Sequence, residues 1–283
     1  MQERPDITIS MFNNDAGFIT DIKDGSKKIL EIHFSKFKRL QYNRKGWWRW
    51  VDAWRTKQDE RIARRFDRFV VLTEEDKANW GDMDNICVIP NANTFSTKQT
   101  SLLNTRKVIS IGRYSYQKGF DRLIKAWKTV NRVCPKWTLD IIGEGEEKSK
   151  LQSLIYHENL DGSVRLMPAT SDIINVYLGA SVVAMSSHYE GLPMVLLEAQ
   201  SLGLPIVAFA CQCGPKDIIS DGETGFLVPE GDVEGLAEKL ITVIKDNVLR
   251  LSMGKQAKEA SRRYEEEAVM QLWMDIFQTV MKA

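Results

Sequence analysis

Cysteine is scarce and scattered in this chain. Four occur in 283 residues, at 87, 134, 211 and 213, and none forms the paired Cys-x-x-Cys spacing of a zinc site. Cys211-Gln-Cys213 brings two thiols close but supplies no partner ligands, so no metal is expected. The spacing suggests no disulfide framework either, and reduced thiols in a cytosolic compartment are the expectation. Charge of one sign is also lacking. Lys and Arg number 39 against 38 Asp and Glu, a net +1, so whole-chain charge predicts no polyanion partner. No apolar run approaches the roughly 20 residues that span a bilayer. The start, Met1-Gln-Glu-Arg-Pro-Asp6, lacks the apolar stretch of a secretion signal. What remains is a globular chain, 43% apolar, with enough core for one large or two modest domains.

Short apolar runs alternate with amphipathic ones. The strand candidates are Ile7–Ser10, Ile29–His33, Phe69–Leu72, Cys87–Ile89, Val108–Ile111, Leu139–Ile142, Val164–Met167, Val182–Met185 and Ile206–Phe209. Helical patterns such as Phe120–Val130, Glu146–Tyr156 and Val233–Ile244 separate most of them. Apolar strands between amphipathic helices predict a parallel sheet covered on both faces, a doubly wound α/β architecture. Asn91–Asn104 is polar, rich in Ser and Thr, and without helical period, so a boundary is expected there. The expected division is 1–95, 96–264 and a terminal helix, 265–283, that packs back on the first part.

Glu190 and Glu198 stand eight positions apart in His188-Tyr-Glu-Gly-Leu-Pro-Met-Val-Leu-Leu-Glu-Ala199. A strand precedes this stretch. A helix follows, with Pro193 in a favoured first-turn position and Gly203 just past the end. The spacing puts Glu190 on a strand-to-helix loop and Glu198 about one turn into the helix. In α/β sheets such loops lie at the ligand-binding edge, where a carboxylate can accept hydrogen bonds from sugar hydroxyls. A solvated helix residue is the plain alternative for Glu198. Gly112-Arg113 and Lys118-Gly119 flank a second such loop. Gly112 permits close backbone approach, Arg113 offers a planar fork and Lys118 a point charge beside a helix start, a credible diphosphate site. Both cations could equally be solvated. Gly143-Glu-Gly145 closes a third loop, and Gly143 is a candidate for lining a nucleotide, although two glycines in a turn need no function.

Together, Gly112-Arg113-x4-Lys118-Gly-Phe-Asp121, Trp137-Thr-Leu-Asp-Ile-Ile-Gly143-Glu-Gly145, Glu190-Gly-Leu-Pro-x4-Glu198-Ala and Gly203-Leu-Pro-Ile-Val resemble the GT4 family of retaining glycosyltransferases, which have the GT-B fold. Order and spacing match over residues 86 to 280. The resemblance implies a complete C-terminal Rossmann-like domain that binds a nucleotide sugar, with a UDP-sugar favoured. Arg113 and Lys118 would neutralise the leaving diphosphate, and Glu198 would hold the ribose. Glu190 and the backbone N–H groups of the following Gly191 and Leu192 would meet the donor sugar. Fixed cations aimed at developing charge stabilise it without a metal or other cofactor. The implied reaction moves a hexose or N-acetylhexosamine, with retention, to a glycan or lipid-linked acceptor in cell-surface polysaccharide synthesis. Attack on the same face, assisted by the departing phosphate oxygen, is implied, with Glu190 not a covalent nucleophile.

The chain departs from the family pattern twice. Phe209-Ala-Cys-Gln-Cys-Gly214-Pro215 has Ala210 where relatives tend to carry Asp, at a place that bears on sugar or acceptor recognition. About 95 residues precede the second domain, and they resemble only the latter half of an N-terminal Rossmann-like domain, without its opening strand and Gly-rich loop. A truncated or split enzyme is expected, or a nucleotide-sugar-binding remnant.

Three further features carry alternatives. His33, at a strand end, is an acceptor-side candidate or a structural histidine. Residues 36–65 hold eleven Lys and Arg, three Asp and Glu, and Trp47, Trp48, Trp50 and Trp54. Trp47, Trp50, Val51 and Trp54 share a helical face that serves either a core or an anionic membrane interface. No nucleic-acid-binding motif accompanies them. A cytoplasmic protein, peripheral on the membrane's inner face, is the matching expectation. Asp82-Met-Asp84 spells an Asp-x-Asp metal signature but stands far from the other candidates and is taken as coincidence.

Overall fold

The computed structural model describes residues 5–13, 15–36, 38–41, 46–93, 95 and 97–282. Phe37 and residues 42–45 of the basic segment, and Thr94 and Ser96 of the boundary stretch, lie outside the described residues. The chain forms two compact units, residues 1–92 with 266–283, and residues 93–265.

The first unit is built on four parallel strands in sequential order: β1 (Ile7–Ser10), β2 (Lys27–Glu31), β3 (Arg68–Val71) and β4 (Ile86–Val88). Side chains alternate between the faces of a strand. Leu30, Phe69 and Val71 therefore point one way, packing with Ala63, Phe66, Trp80 and Met83. Ile29 and Val70 point the other way, packing with Ile89 and with Val269, Trp273, Ile276 and Phe277 of the returning helix Glu266–Lys282.

The helix Trp48–Ala63 settles which stripe of the basic segment turns inward. Asp52, Thr56, Asp59 and Ala63, at spacings of four and three, form the buried face. On this face Arg39 pairs with Asp59, and the Thr56 hydroxyl donates to the Asp52 backbone carbonyl. Trp47, Trp50 and Trp54 are 64%, 81% and 57% exposed. The core-facing alternative for the tryptophan stripe is thereby overturned.

The second unit carries β5 (Lys107–Ile111), β6 (Thr138–Ile142), β7 (Val164–Met167), β8 (Val182–Met185), β9 (Ile206–Phe209) and β10 (Gly225–Val228). All are parallel, in the order β10-β9-β8-β5-β6-β7. The chain steps outward from β5 through β6 to β7, then returns to β8 and steps out the other way. The order reverses between the adjacent strands β5 and β8, and in such sheets ligands bind at the carboxyl edge near that switch point. The strand β10 is absent from the sequence expectation: it is four residues long, opens on glycine, and follows the turn-like Asp221-Gly-Glu-Thr224.

Helices Phe120–Val133 and Val233–Lys245 cover this sheet through one shared core. The first buries Phe120, Leu123, Ile124, Trp127 and Val130, which recur at helical spacing. Trp127 is wholly enclosed, and burying a large apolar side chain stabilises by roughly 1.5–3 kcal/mol.

Candidate functional site

The site is built from strand-to-helix loops of the second unit. The loop after β5 opens on Gly112-Arg113. It then turns inward at Tyr114, whose buried hydroxyl lies 2.8 Å from the Ile141 carbonyl and 2.6 Å from that of Met167. This ring ties the ends of β6 and β7 to the loop. A short 3-10 turn, Tyr116–Lys118, and Gly119 lead into the helix that starts at Phe120. Gly119 has φ +58°, and a Cβ there would stand 2.3 Å from the Ser186 carbonyl oxygen, so the position requires glycine.

The loop after β8 is stitched to that turn. The Ser186 hydroxyl donates to the Lys118 carbonyl at 2.9 Å, and the His188 amide to the Gln117 carbonyl at 2.8 Å. Lys118 Nζ reaches Glu190 Oε1 at 2.7 Å, and the Ser187 hydroxyl donates to the same oxygen at 2.6 Å. The Glu190 side chain is only 7% exposed, so its charge is held by these two donors rather than by water. The Glu190 amide donates to the Gln212 carbonyl at 3.1 Å, which anchors Gly191 and Leu192 beside the Cys211–Gly214 turn.

A cavity of about 480 Å³ opens between the loops, lined by Gly112, Arg113, Gly143, Thr170, Val195 and Glu198 among others. Gly143 closes its floor. A Cβ there would fall 1.9 Å from the Gly112 carbonyl oxygen, so the loops after β5 and β6 meet backbone to backbone. The helix Met194–Ser201 begins at the cavity wall, which brings the positive end of its dipole to Val195. Gly112, Arg113, Gly143 and Glu198 thus share one cavity, while Lys118 and Glu190 form an ion pair on the adjoining loops.

Glu198 is held by a residue that sequence reasoning missed. Tyr177 is wholly buried, and its hydroxyl donates to Glu198 Oε2 at 2.7 Å. Burial first, and the Glu198 charge second, push that phenol well above its ordinary pKa, so it stays a proton donor. In sequence Tyr177 reads only as one more apolar position before β8. Ser187 and Thr170 were also missed, and polar loop residues of this kind give no pattern to find.

His188 stacks on Tyr116 with ring centroids 4.2 Å apart and planes 13° apart. Its Nδ1 lies 3.5 Å from the Glu230 carboxylate, which also pairs with Arg122. Burial first, then the Arg122 charge, hold the imidazole below its ordinary pKa.

His33 belongs to the first unit, with Nε2 3.1 Å from Glu31 Oε1. The Asp82 carbonyl accepts a hydrogen bond from Arg64, also in the first unit. Among the described residues no group of three or more His, Cys, Asp or Glu is placed to hold a metal. None of the four cysteines is in a disulfide. Among the described residues no helix is long and apolar enough to cross a membrane.

The sequence profile of the family "Glycosyl transferases group 1" matches residues 92–260, the second unit almost end to end. An uncharacterized glycosyltransferase of Haemophilus influenzae is 35% identical over 214 residues, 74% of this chain and 61% of its own. The amylovoran biosynthesis glycosyltransferase AmsD of Erwinia amylovora is 35% identical over 220 residues, 74% of this chain and 62% of its own. The chain therefore spans about three fifths of the length of these relatives. A solved structure of Anabaena HepE in complex with UDP superposes with a TM-score of 0.77 at 21% identity, covering 90% of this chain and 73% of that one. Parallel α/β units of this kind are those of GT-B glycosyltransferases, and the chain belongs to the glycosyl transferases group 1 family.

Proposed function

We propose that this chain transfers a hexose or N-acetylhexosamine from a UDP-sugar to a glycan or lipid-linked acceptor, with retention, in cell-surface polysaccharide synthesis. The observation that carries the reading is the cavity that places a guanidinium, Arg113, and a tyrosine-anchored carboxylate, Glu198, around one void at the sheet's switch point. A nucleoside diphosphate needs a cation for its phosphates and an acceptor for its ribose hydroxyls, and the two are presented together. Arg113 and Lys118 would meet the charge that develops on the departing diphosphate, and the reading assigns no metal or other cofactor to that step. Glu190, with Gly191 and Leu192 after it, would face the donor sugar, and His33 would serve the acceptor side. The preference for UDP is supported by the UDP in the HepE structure, and the polysaccharide context by the amylovoran biosynthesis in which AmsD takes part.

A cytoplasmic protein in peripheral contact with an anionic membrane belongs to the same reading. It is supported by the outward Trp47, Trp50 and Trp54, set among exposed Arg49, Arg55, Lys57 and Arg61. Tryptophan and arginine on one helix suit the headgroup region of an anionic bilayer.

The test is transfer itself. The protein is incubated with radiolabelled UDP-sugars, lipid-linked acceptors and membranes, and the products are separated by chromatography. Label passing from one UDP-sugar into a membrane-extractable product is the expected result. A protein that binds UDP yet neither transfers nor hydrolyses any donor defeats the enzyme reading.

A further inference from the structure

We propose that Tyr177 is a positioning residue whose hydroxyl sets the affinity of Glu198 for the ribose of a nucleoside diphosphate. The inference rests on the reading that Glu198 meets the ribose, and it adds the group that makes Glu198 competent to do so.

Tyr177 lies on the short helix Ile173–Leu178, a different strand-to-helix unit from the one that carries Glu198. The ring is 0% exposed, and its edge meets Phe95 with centroids 5.9 Å apart at 70°. A phenylalanine would fill that volume equally well. What the hydroxyl adds is a link to the helix Met194–Ser201, for it lies 2.7 Å from Glu198 Oε2 and 3.2 Å from the Val195 carbonyl. A hydroxyl has one proton, and the shorter contact to the ionised oxygen takes it. Burying a phenol beside a carboxylate is costly unless the bond is made, so the bond holds both groups in place.

Glutamate has three side-chain torsions, and Glu198 is only partly buried at the cavity wall. Each bond that fixes it reduces the rotamers that must be given up when a ligand binds. With one oxygen fixed by Tyr177, the carboxylate plane is set before the ribose arrives. Ordering one flexible side chain in advance is worth roughly 3- to 10-fold in affinity. The structure therefore divides ribose recognition between two residues: Glu198 touches the ligand, and Tyr177 acts through Glu198.

The experiment is calorimetry on the whole chain with two probes, UDP and 2′,3′-dideoxyuridine 5′-diphosphate, which lacks the hydroxyls that Glu198 would bind. Tyr177→Phe should weaken UDP roughly 3- to 10-fold and leave the dideoxy probe within about 2-fold. In a Glu198→Ala background, Tyr177→Phe should add nothing further for UDP. Thermal melting of each variant runs in parallel to confirm a folded protein. If Tyr177→Phe binds UDP as tightly as the natural chain, the positioning role is refuted. If it weakens both probes equally, the tyrosine is merely structural and the proposal also fails. If Glu198→Ala itself binds UDP unchanged, the ribose reading of Glu198 falls, and the role of Tyr177 falls with it. The first two outcomes leave that reading intact, so the failures can be told apart.

Discussion

Replacing Lys118 by methionine removes one half of a buried ion pair and leaves the shape of the side chain nearly unchanged. Glu190 is then a carboxylate with 7% exposure that has lost its cation. Breaking a buried pair from one side costs roughly 3–5 kcal/mol, because the remaining charge is neither solvated nor paired. Two features place Lys118→Met at the lower end. Lys118 is itself 18% exposed, so water can enter its place, and the Ser187 hydroxyl still donates to Glu190 Oε1 at 2.6 Å. A loss of about 3 kcal/mol follows, or a fall in Tm of roughly 6–12 °C for a unit of this size. Adding Glu190→Gln removes the stranded charge and should restore about 2 kcal/mol of that loss. Urea unfolding and thermal melts of the natural chain, both single variants and the double variant form a complete cycle. If Lys118→Met melts within about 2 °C of the natural chain, or if Glu190→Gln deepens the loss, the pair is not the buried, coupled unit described here.

Gly143→Ala should cost more than 10-fold in UDP affinity and about 2–4 kcal/mol in stability, since its Cβ would fall 1.9 Å from the Gly112 carbonyl oxygen; UDP titration and melting check both. His188 makes stability depend on acidity. Its folded pKa is depressed, so below an ordinary value of about 6.5 the unfolded chain binds more protons than the folded one, and stability falls as pH drops through that window. Melts between pH 7.5 and about pH 5 should show a shallower decline for His188→Gln than for the natural chain, and equal slopes would count against it. The triple change Trp47→Ser, Trp50→Ser and Trp54→Ser should abolish co-sedimentation with phosphatidylglycerol vesicles and leave UDP binding intact. Equal sedimentation of both proteins with such vesicles would remove the membrane role of this face.

Some of the fold was legible and some was not, for reasons that differ by residue. The runs Val108–Ile111, Leu139–Ile142 and Ile206–Phe209 are mostly apolar, with Ser110 and Asp140 the exceptions, because their strands are covered on both faces, and that marks a parallel sheet. Gly225–Val228 is less plain: only three of its residues are apolar after an opening glycine, and it lies at the sheet edge, paired with β9 alone. The helix Trp48–Ala63 was legible as a helix but not in its orientation. Its tryptophan stripe and its Asp52, Thr56, Asp59 and Ala63 stripe share one period, and it is the stripe of smaller side chains that is buried. Arg113, Glu190 and Glu198 stood out through loop position and spacing. The Lys118–Glu190 pairing did not, because the partners are 72 positions apart and meet only through the adjacency of β5 and β8. Tyr177 gave no signal because a hydroxyl's partner is a property of packing, not of pattern.

In the proposed function the second unit holds a nucleoside diphosphate by both its ribose and its phosphates. It is tested most directly by calorimetric titration of UDP and of uridine into the natural chain and into Arg113→Ala. UDP should bind the natural chain more tightly than uridine does. Arg113→Ala should weaken UDP roughly 10- to 100-fold, the scale of a charged hydrogen bond, while uridine is unaffected. Equal affinities for UDP and uridine, or an Arg113→Ala protein that binds UDP like the natural chain, would contradict it.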